Sequence, residues 1–395
     1  MRNRPLLRQD LMAFPKGNSP TQDELTKALD LAHQALKNIE KKGEGGVYPF
    51  LEDPFFPQDI VLLHLAHFHH FRVILIIGPH DALSALKALV ALVQSWVWIE
   101  GGRPRLCFLE KMDPELFWEL LSIIDPITTG VIVMTPEPAS SETVLMLMRC
   151  LDHWGSVIDP SALSHHFFLI SMALKGESIK DPLGSILHHF RLPHRIEPHI
   201  VLPLACFSPM TLIPALFTGI QWKKFLEGAA LTCSQFFQHR LKLPLEGIAL
   251  LWVAHHKGFS YPVVHAWETC FSALKGWMKI SWNAFSLPVL LGEALPKQRH
   301  LFTVLLEKRV LREPLNSTLW SALPQVKALS STSLGENLQQ TQMKFCHDMV
   351  QKGHWVRTLS INLLNEETLG ALFMNHLLEA LLMQEMLDLS KTENT

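Results

Sequence analysis

No two of the six cysteines form a CxxC pair; Cys107, Cys150, Cys206, Cys233, Cys270 and Cys346 are widely separated, and most sit in apolar runs. They read as buried free thiols in a reducing compartment, not as a disulfide or redox framework. An excess of one charge is also missing: 35 Lys and Arg stand against 37 Asp and Glu, a formal charge of −2. That balance gives no general drive toward nucleic acid or an anionic membrane, so any polyanion site must be local. No apolar stretch reaches the ~18 residues that a membrane span needs. The segment from Met1 to Leu11 is basic and polar and has no apolar centre, so it does not read as a secretory signal. No short-period repeat is visible. The expectation from these absences is a cytoplasmic protein with no nucleic-acid or membrane partner.

What is present is an apolar globular chain. Of its 395 residues, 48% are hydrophobic and 18% charged, enough for two domains with separate cores. The 21 histidines are numerous. His64, His67, His69 and His70 cluster, and His165-His166, His188-His189 and His255-His256 are doublets. No cysteine or carboxylate stands with them at ligand spacing, so they read as scattered surface and core histidines and not as a zinc site.

Periodicity organises the chain as alternating elements. Thr21 to Lys42 has the spacing of an amphipathic helix, Phe50 to Pro57 is a proline-rich loop, and Asp59 to Phe71 reads as a second helix. The β-branched run Arg72 to Ile77, closed by Gly78-Pro79, predicts a buried parallel strand, and Ala82 to Val93 the helix after it. The same alternation predicts strands at 105–109, 130–134 and 166–170. Helices are expected to open at Asp113-Pro114 and to cover 141–154 and 185–190. Beyond Met210 the chain turns helical (211–218, 222–237, 244–256). A weaker α/β stretch follows, with candidate strands at 262–266, 287–291 and 358–362 and helices at 334–351 and 367–389. Strands alternating with helices imply doubly wound parallel sheets.

The order of these elements resembles the phosphoglucose isomerase family. The resemblance is carried by the strand-turn-helix at 73–89, the Asp113-Pro114 helix start, and Thr128-Thr129-Gly130 leading into a strand and loop. It continues through Phe207-Ser208-Pro209, Leu212-Ile213-Pro214-Ala215-Leu216, the pair Trp277 and Trp282, Gly353-His354-Trp355-Val356 and Leu369-Gly370-Ala371-Leu372. It covers about residues 20–389. It implies an α/β fold of two sugar-isomerase-type doubly wound parallel-sheet domains (three-layer α/β/α) with a helical C-terminus. The expected division is an N-terminal helical extension (1–50), a first domain (51–210), a second (211–375), and a C-terminal helix and tail (376–395). It also implies a homodimer, a sugar phosphate as ligand, and neither cofactor nor metal.

Such a site holds a phosphate on hydroxyls and backbone N–H groups at a helix N-terminus. It moves a proton between two carbons with a carboxylate base, helped by an acid and a cation. By resemblance the phosphate segment is Thr135 to Thr143, with Thr135, Ser140, Ser141 and Thr143 as donors and Gly78 and His80 in the neighbouring turn. Glu137 replaces a hydroxyl there, and Pro136 and Pro138 remove two N–H donors. Ile76 and Pro79 stand where the family has glycine, and His80 where it has serine. A plain capped helix start, Ser140 as N-cap with Thr143 in the first turn, accounts equally for these residues.

The chemistry-bearing positions are altered. Ala284 occupies the position of the glutamate base and Pro203 that of the first-domain arginine. Arg299 stands at the histidine position, with His300 one residue late, and Lys391 is the only late lysine. His300 and Arg299 are therefore the nominated catalytic residues. Three readings follow. One is a non-catalytic family member that retains a sugar-phosphate-binding fold. Another is an active aldose–ketose isomerase with a site rebuilt from His300, Glu293 or Glu268 and Lys391. The third is a protein-interaction module displaying tryptophans such as Trp96, Trp98, Trp118, Trp154 and Trp222.

Overall fold

Among the described residues, two five-stranded sheets, built from ten strands, organise the computed structural model of the chain. The structure describes residues 6–44, 68–94, 103–136, 139–172, 182–197, 202–260, 262–267, 269–285, 287, 290–291, 298–307 and 333–393. The expected loop at 50–57, most of the expected helix at 59–71, and Trp96 and Trp98 lie outside them. Contacts divide the chain into two units, each discontinuous in sequence. One comprises 43–230 and 268–286; the other comprises 1–42, 231–267 and 287–395.

In the unit built around residues 43–230, strands β2 (Val73–Ile77), β3 (Arg105–Leu109), β4 (Thr129–Thr135), β5 (Phe167–Met172) and β6 (His194–Glu197) are all parallel, in the order β3-β2-β4-β5-β6. β4 and β5 are buried along their whole length, which is why their sequences are continuous apolar runs and not alternating ones. On one face Leu75, Val131, Val133, Phe167 and Leu169 pack with Phe117 and Leu121 of the helix Pro114–Ile123 and with Leu147 and Trp154 of the helix Ser141–Gly155. The Trp154 indole donates to the Thr129 carbonyl at 3.2 Å, so this bulky core residue leaves no polar atom unpaired. Asp113 caps its helix as expected, accepting from the N–H groups of Glu115 (3.1 Å) and Leu116 (3.3 Å). The helix His80–Gln94 packs on Pro209–Leu216 and on Thr269–Ala284, a helix that periodicity did not single out.

The other unit carries the sheet β1-β10-β9-β7-β8, with β7 (Val263–His265), β8 (Leu290–Leu291), β9 (Leu301–Glu307) and β10 (Trp355–Ile361) parallel. β1 (Leu7–Ala13) runs antiparallel to β10 along its edge. The N-terminal segment, expected to be a helical extension, therefore begins as a strand. Its charged pattern suits an edge: Arg8 pairs with Asp10 at 2.8 Å and Asp10 accepts from the Ser360 hydroxyl, while Leu7 is buried. β9 is a further strand that the sequence reading passed over. Its residues LFTVLLE form a continuous apolar run, and such runs do not distinguish buried strand from buried helix.

The last helix, Glu366–Glu393, is apolar on most sides and buried for most of its length, with Phe373, Met374, Leu377, Leu378, Leu381 and Leu382 inaccessible or nearly so. It also buries charge. Glu379 accepts two hydrogen bonds from Arg357 in the middle of β10, Nη1 to Oε1 at 3.1 Å and Nη2 to Oε2 at 2.7 Å. Arg357 Nε donates to Thr303 Oγ1 at 2.8 Å, and Asn375 Nδ2 donates to Glu379 Oε1 at 3.2 Å. Gly247, in the helix Leu243–His256, makes this possible: a Cβ there would lie 2.1 Å from Arg357 Nη1 and 2.6 Å from Glu379 Oε1. The guanidinium is held on three sides and cannot swing away.

Breaking one side of this pair is expected to cost about 3–5 kcal/mol, because the other charge is left buried alone. Glu379→Gln should therefore lower stability by that amount in urea or thermal melts. The double variant Arg357→Met with Glu379→Leu should recover most of it. Gly247→Ala should also destabilise; a Gly247→Ala protein as stable as the parent would show that the pair does not fix this packing.

Candidate functional site

In an open parallel sheet, ligands collect outside the carboxyl ends of the strands, where the strand order reverses. In the β3-β2-β4-β5-β6 sheet that point lies between β2 and β4. Gly78 and His80 follow β2, and Thr135 ends β4 with Ser140, Ser141 and Thr143 beyond it. The residues nominated for phosphate binding thus follow the carboxyl ends of two neighbouring strands. Gly78 is required by the sheet itself, since a Cβ there would stand 2.5 Å from the Met134 carbonyl oxygen. His80 is half-exposed and pairs with Glu110 just beyond β3, which also pairs with Lys87; burial lowers the Lys87 pKa.

The helix Ser141–Gly155 opens with a side-chain cap. Ser140 Oγ accepts from the Thr143 N–H at 3.2 Å, and the two hydroxyls lie 2.9 Å apart. The capped helix start is therefore formed, and it leaves the N–H groups of Ser141 and Glu142 without an acceptor among the described residues. Thr135 Oγ1 donates to the Pro136 carbonyl at 3.0 Å. Glu142 places its own carboxylate in the first turn, where it competes for the same positive helix end. The position of Glu137 lies outside the described residues.

A residue that the sequence reading did not single out joins this group. Ser171, next to the end of β5, is paired in register with Thr135. Alternation places both on the face that carries Val131, Val133, Phe167 and Leu169, the face beneath the helix Ser141–Gly155. Its hydroxyl is buried with no hydrogen-bond partner among the described residues. A polar group in that state costs stability unless a ligand or water meets it. Only pairing of β4 with β5 reveals it; nothing in the local sequence of β5 marks that serine.

The nominated catalytic residues stand elsewhere in their own sheet. His300 and Arg299 precede β9, at the amino end of the parallel strands and roughly 20 Å from its carboxyl end. The His300 N–H donates to His354 Nδ1 at 3.1 Å, the rings stack 5.8 Å apart, and His300 is fully buried. Arg299 is exposed, donates to the Lys257 carbonyl at 3.2 Å and lies over the Phe259 ring. Lys391 lies in the last turn of its helix, 3.2 Å from Asp388. Ala284 ends the helix Thr269–Ala284 and is exposed, whereas Trp277 and Trp282 on that helix are buried. Pro203 lies in the turn Leu202–Phe207. Glu268 and Glu293 fall outside the described residues.

The carboxyl end of the same sheet holds a different acid. Glu307 ends β9 beside the switch point at β7, accepts the Leu364 N–H at 2.9 Å, and has its pKa raised by burial. Among the described residues no group of three His, Cys, Asp or Glu forms a metal centre, and no helix is long and apolar enough to cross a membrane. Cys150, Cys206, Cys233 and Cys346 are buried free thiols, and burial pushes the Cys233 thiol up to about 12.

No family model matches the chain. Over 211 residues it is 26% identical to a glucose-6-phosphate isomerase of Carboxydothermus hydrogenoformans, a match covering 49% of this chain and 43% of that protein. The chain thus spans less than half the length of the curated relative it matches. Among solved structures it is similar to a hypothetical protein of Thermus thermophilus (TM-score 0.74, 17% identity, 97% of this chain and 99% of that one). It is also similar to a glucose-6-phosphate isomerase of Chlamydia trachomatis (TM-score 0.64, 14% identity, 85% and 72%). The parallel sheets and helical C-terminus thus define a protein of the sugar-isomerase fold. Within that fold, the chain is similar in sequence, over part of its length, to a glucose-6-phosphate isomerase.

The buried histidine pair sets a pH dependence. The His354 pKa lies below its usual 6.5, through burial first and then through the neighbouring His300 and Lys352. The unfolded chain therefore takes up the proton first as pH falls. Stability is complete above about 6.5 and is lost as pH drops below that value toward the lower folded pKa. Thermal melts between neutral and mildly acidic pH should show this loss, and His354→Gln should flatten it relative to the parent. Parallel curves for the two proteins would count against the assignment.

Proposed function

We propose that this protein binds a sugar phosphate, with the phosphate at the start of the helix Ser141–Gly155, and that it has lost most or all of the isomerase chemistry of its relatives. The observation that carries the binding half is the unpartnered, buried Ser171 hydroxyl beside Thr135, under a helix end with two N–H groups to offer. Ser140, Ser141 and Thr143 supply further hydroxyls, and the helix dipole favours an anion there. The loss of chemistry rests on Ala284, Pro203 and Arg299 at the positions of base, cation and acid. A general base alone contributes roughly 10²–10⁴-fold, so losing these groups together leaves binding without turnover. In this reading the protein works in the cytoplasm.

A second reading, an active aldose–ketose isomerase with a rebuilt site, is favoured by one observation. Glu307 is a part-buried carboxyl group of raised pKa at the carboxyl end of its sheet, where a proton-transfer group belongs.

Two measurements separate these readings. A coupled assay for interconversion of glucose 6-phosphate and fructose 6-phosphate is expected to show no turnover in the parent or in Ala284→Glu. Rates in the usual enzyme range of about 1–10³ s⁻¹ would overturn the non-catalytic reading, and their abolition by Glu307→Gln would support the rebuilt site. Calorimetric titration with glucose 6-phosphate should show binding that Ser171→Ala weakens by about 10–100-fold, the value of a hydrogen bond to a charged group. The same variant should melt no lower than the parent, because the hydroxyl it removes has no partner. Unchanged affinity would remove the phosphate from this position.

A further inference from the structure

In the unit that carries the N- and C-terminal segments, a groove lies between the helices Gln22–Glu44 and Leu243–His256, and Ser390 of the last helix also lines it. Its volume is about 580 Å³, within the roughly 300–1,000 Å³ typical of small-molecule sites. Glu24, Lys27, Leu31 and Gln34 recur at helical spacing, so one face of the first helix forms a wall. The base is apolar. Ala28 and Val253 are buried there, and Leu31 and the Trp252 indole are part-exposed beside them.

Three acceptors edge this base. An ionised Asp30 only accepts, and Gln34 offers an amide oxygen. Both are exposed, and neither has a hydrogen-bond or ion-pair partner among the described residues. His256 Nδ1 lies 2.9 Å from the Trp252 carbonyl oxygen, which can only accept. Nδ1 therefore carries the proton, and the neutral ring presents a lone pair at Nε2. The same ring rests against the Trp252 indole, with centroids 4.5 Å apart. Charge in the groove is balanced, two lysines facing two carboxylates: Lys257 pairs with Glu24 at 2.8 Å, and Lys27 is offset by Asp30. Without surplus positive charge, a phosphate is poorly served here. An aromatic platform edged by acceptors instead complements a ligand with one apolar face and several O–H donors around it. We propose that this groove binds a neutral pyranose sugar, with a C–H face of the ring against Trp252 and hydroxyls donating to Asp30, Gln34 and His256. The inference is independent of the phosphate placed at the helix Ser141–Gly155, which belongs to the other unit.

Titration of the full chain with D-glucose and with maltose, followed by calorimetry and by ligand-observed NMR, tests this. At least one of the two sugars is expected to bind, and saturating inorganic phosphate should not displace it. Trp252→Ala should weaken binding by about 10-fold or more, through loss of the stacking platform. Asp30→Ala should weaken it by about 10-fold, the value of a hydrogen bond to a charged group. Because Asp30 is exposed, that variant should melt with the parent, which keeps the test valid even where Trp252→Ala disturbs packing. Absence of binding by both sugars overturns the proposal. So does binding that survives both substitutions, or binding that phosphate displaces, since the sugar then lies elsewhere.

Discussion

Arg357 and Glu379 form a two-pronged ion pair in the interior of the unit that carries the N- and C-terminal segments, and its packing is arranged around that pair. Two charges taken out of water are tolerated only where geometry and further hydrogen bonds satisfy them. Thr303 satisfies Arg357 from the adjacent strand, Asn375 satisfies Glu379 from one turn earlier on its helix, and Gly247 withholds the side chain that would collide with both. The pair thereby sets the rotation of a long helix whose apolar surface alone would fit in several orientations. A helix apolar on most sides has little preference for one face, and buried charges such as Glu379 provide one.

The other unit has no such pair at its centre among the described residues. Its sheet is held by continuous apolar strands under capped amphipathic helices, and Thr135 and Ser171 are buried polar residues near the carboxyl ends of β4 and β5. Thr135, Ser140, Thr143 and Ser171 stand at or beyond the strand ends beside β2, where the strand order reverses. By resemblance, alanine, proline and arginine stand where the family carries the groups for proton transfer. Packing and catalysis draw on different residues, so the proposed loss of chemistry is compatible with an intact fold.

Ser140 and Thr143 also show how a site and a structural motif share residues. The hydroxyl that caps the helix uses one of its hydrogen-bonding capacities for the Thr143 N–H, and the N–H groups left over are those an anion seeks. Capping and binding therefore do not compete for the same groups. His300 and His354 illustrate the opposite case. They lie at the amino end of their strands, are deeply buried, and hold two strand starts together.

The sequence by itself determined the alternation of elements, the buried parallel strands of the first sheet, the capped helix starts at Asp113 and Ser140, and the segment that follows β4. Each of these is a local property: a run of β-branched residues, a proline after an aspartate, a hydroxyl before a helix. The edge strand Leu7–Ala13 was hidden because polar residues suit an edge as well as a tail. β9 was hidden because a short apolar run carries no period of its own. Only the tertiary structure decided that Ser171 stands beside Thr135, that His300 lies at the amino end of its sheet, that Glu307 lies at the carboxyl end, and that Gly247 makes room for a charge pair more than a hundred residues further along the chain. Those facts depend on which strand pairs with which and which helix crosses above, and long-range pairing leaves no trace in the residues on either side of a position.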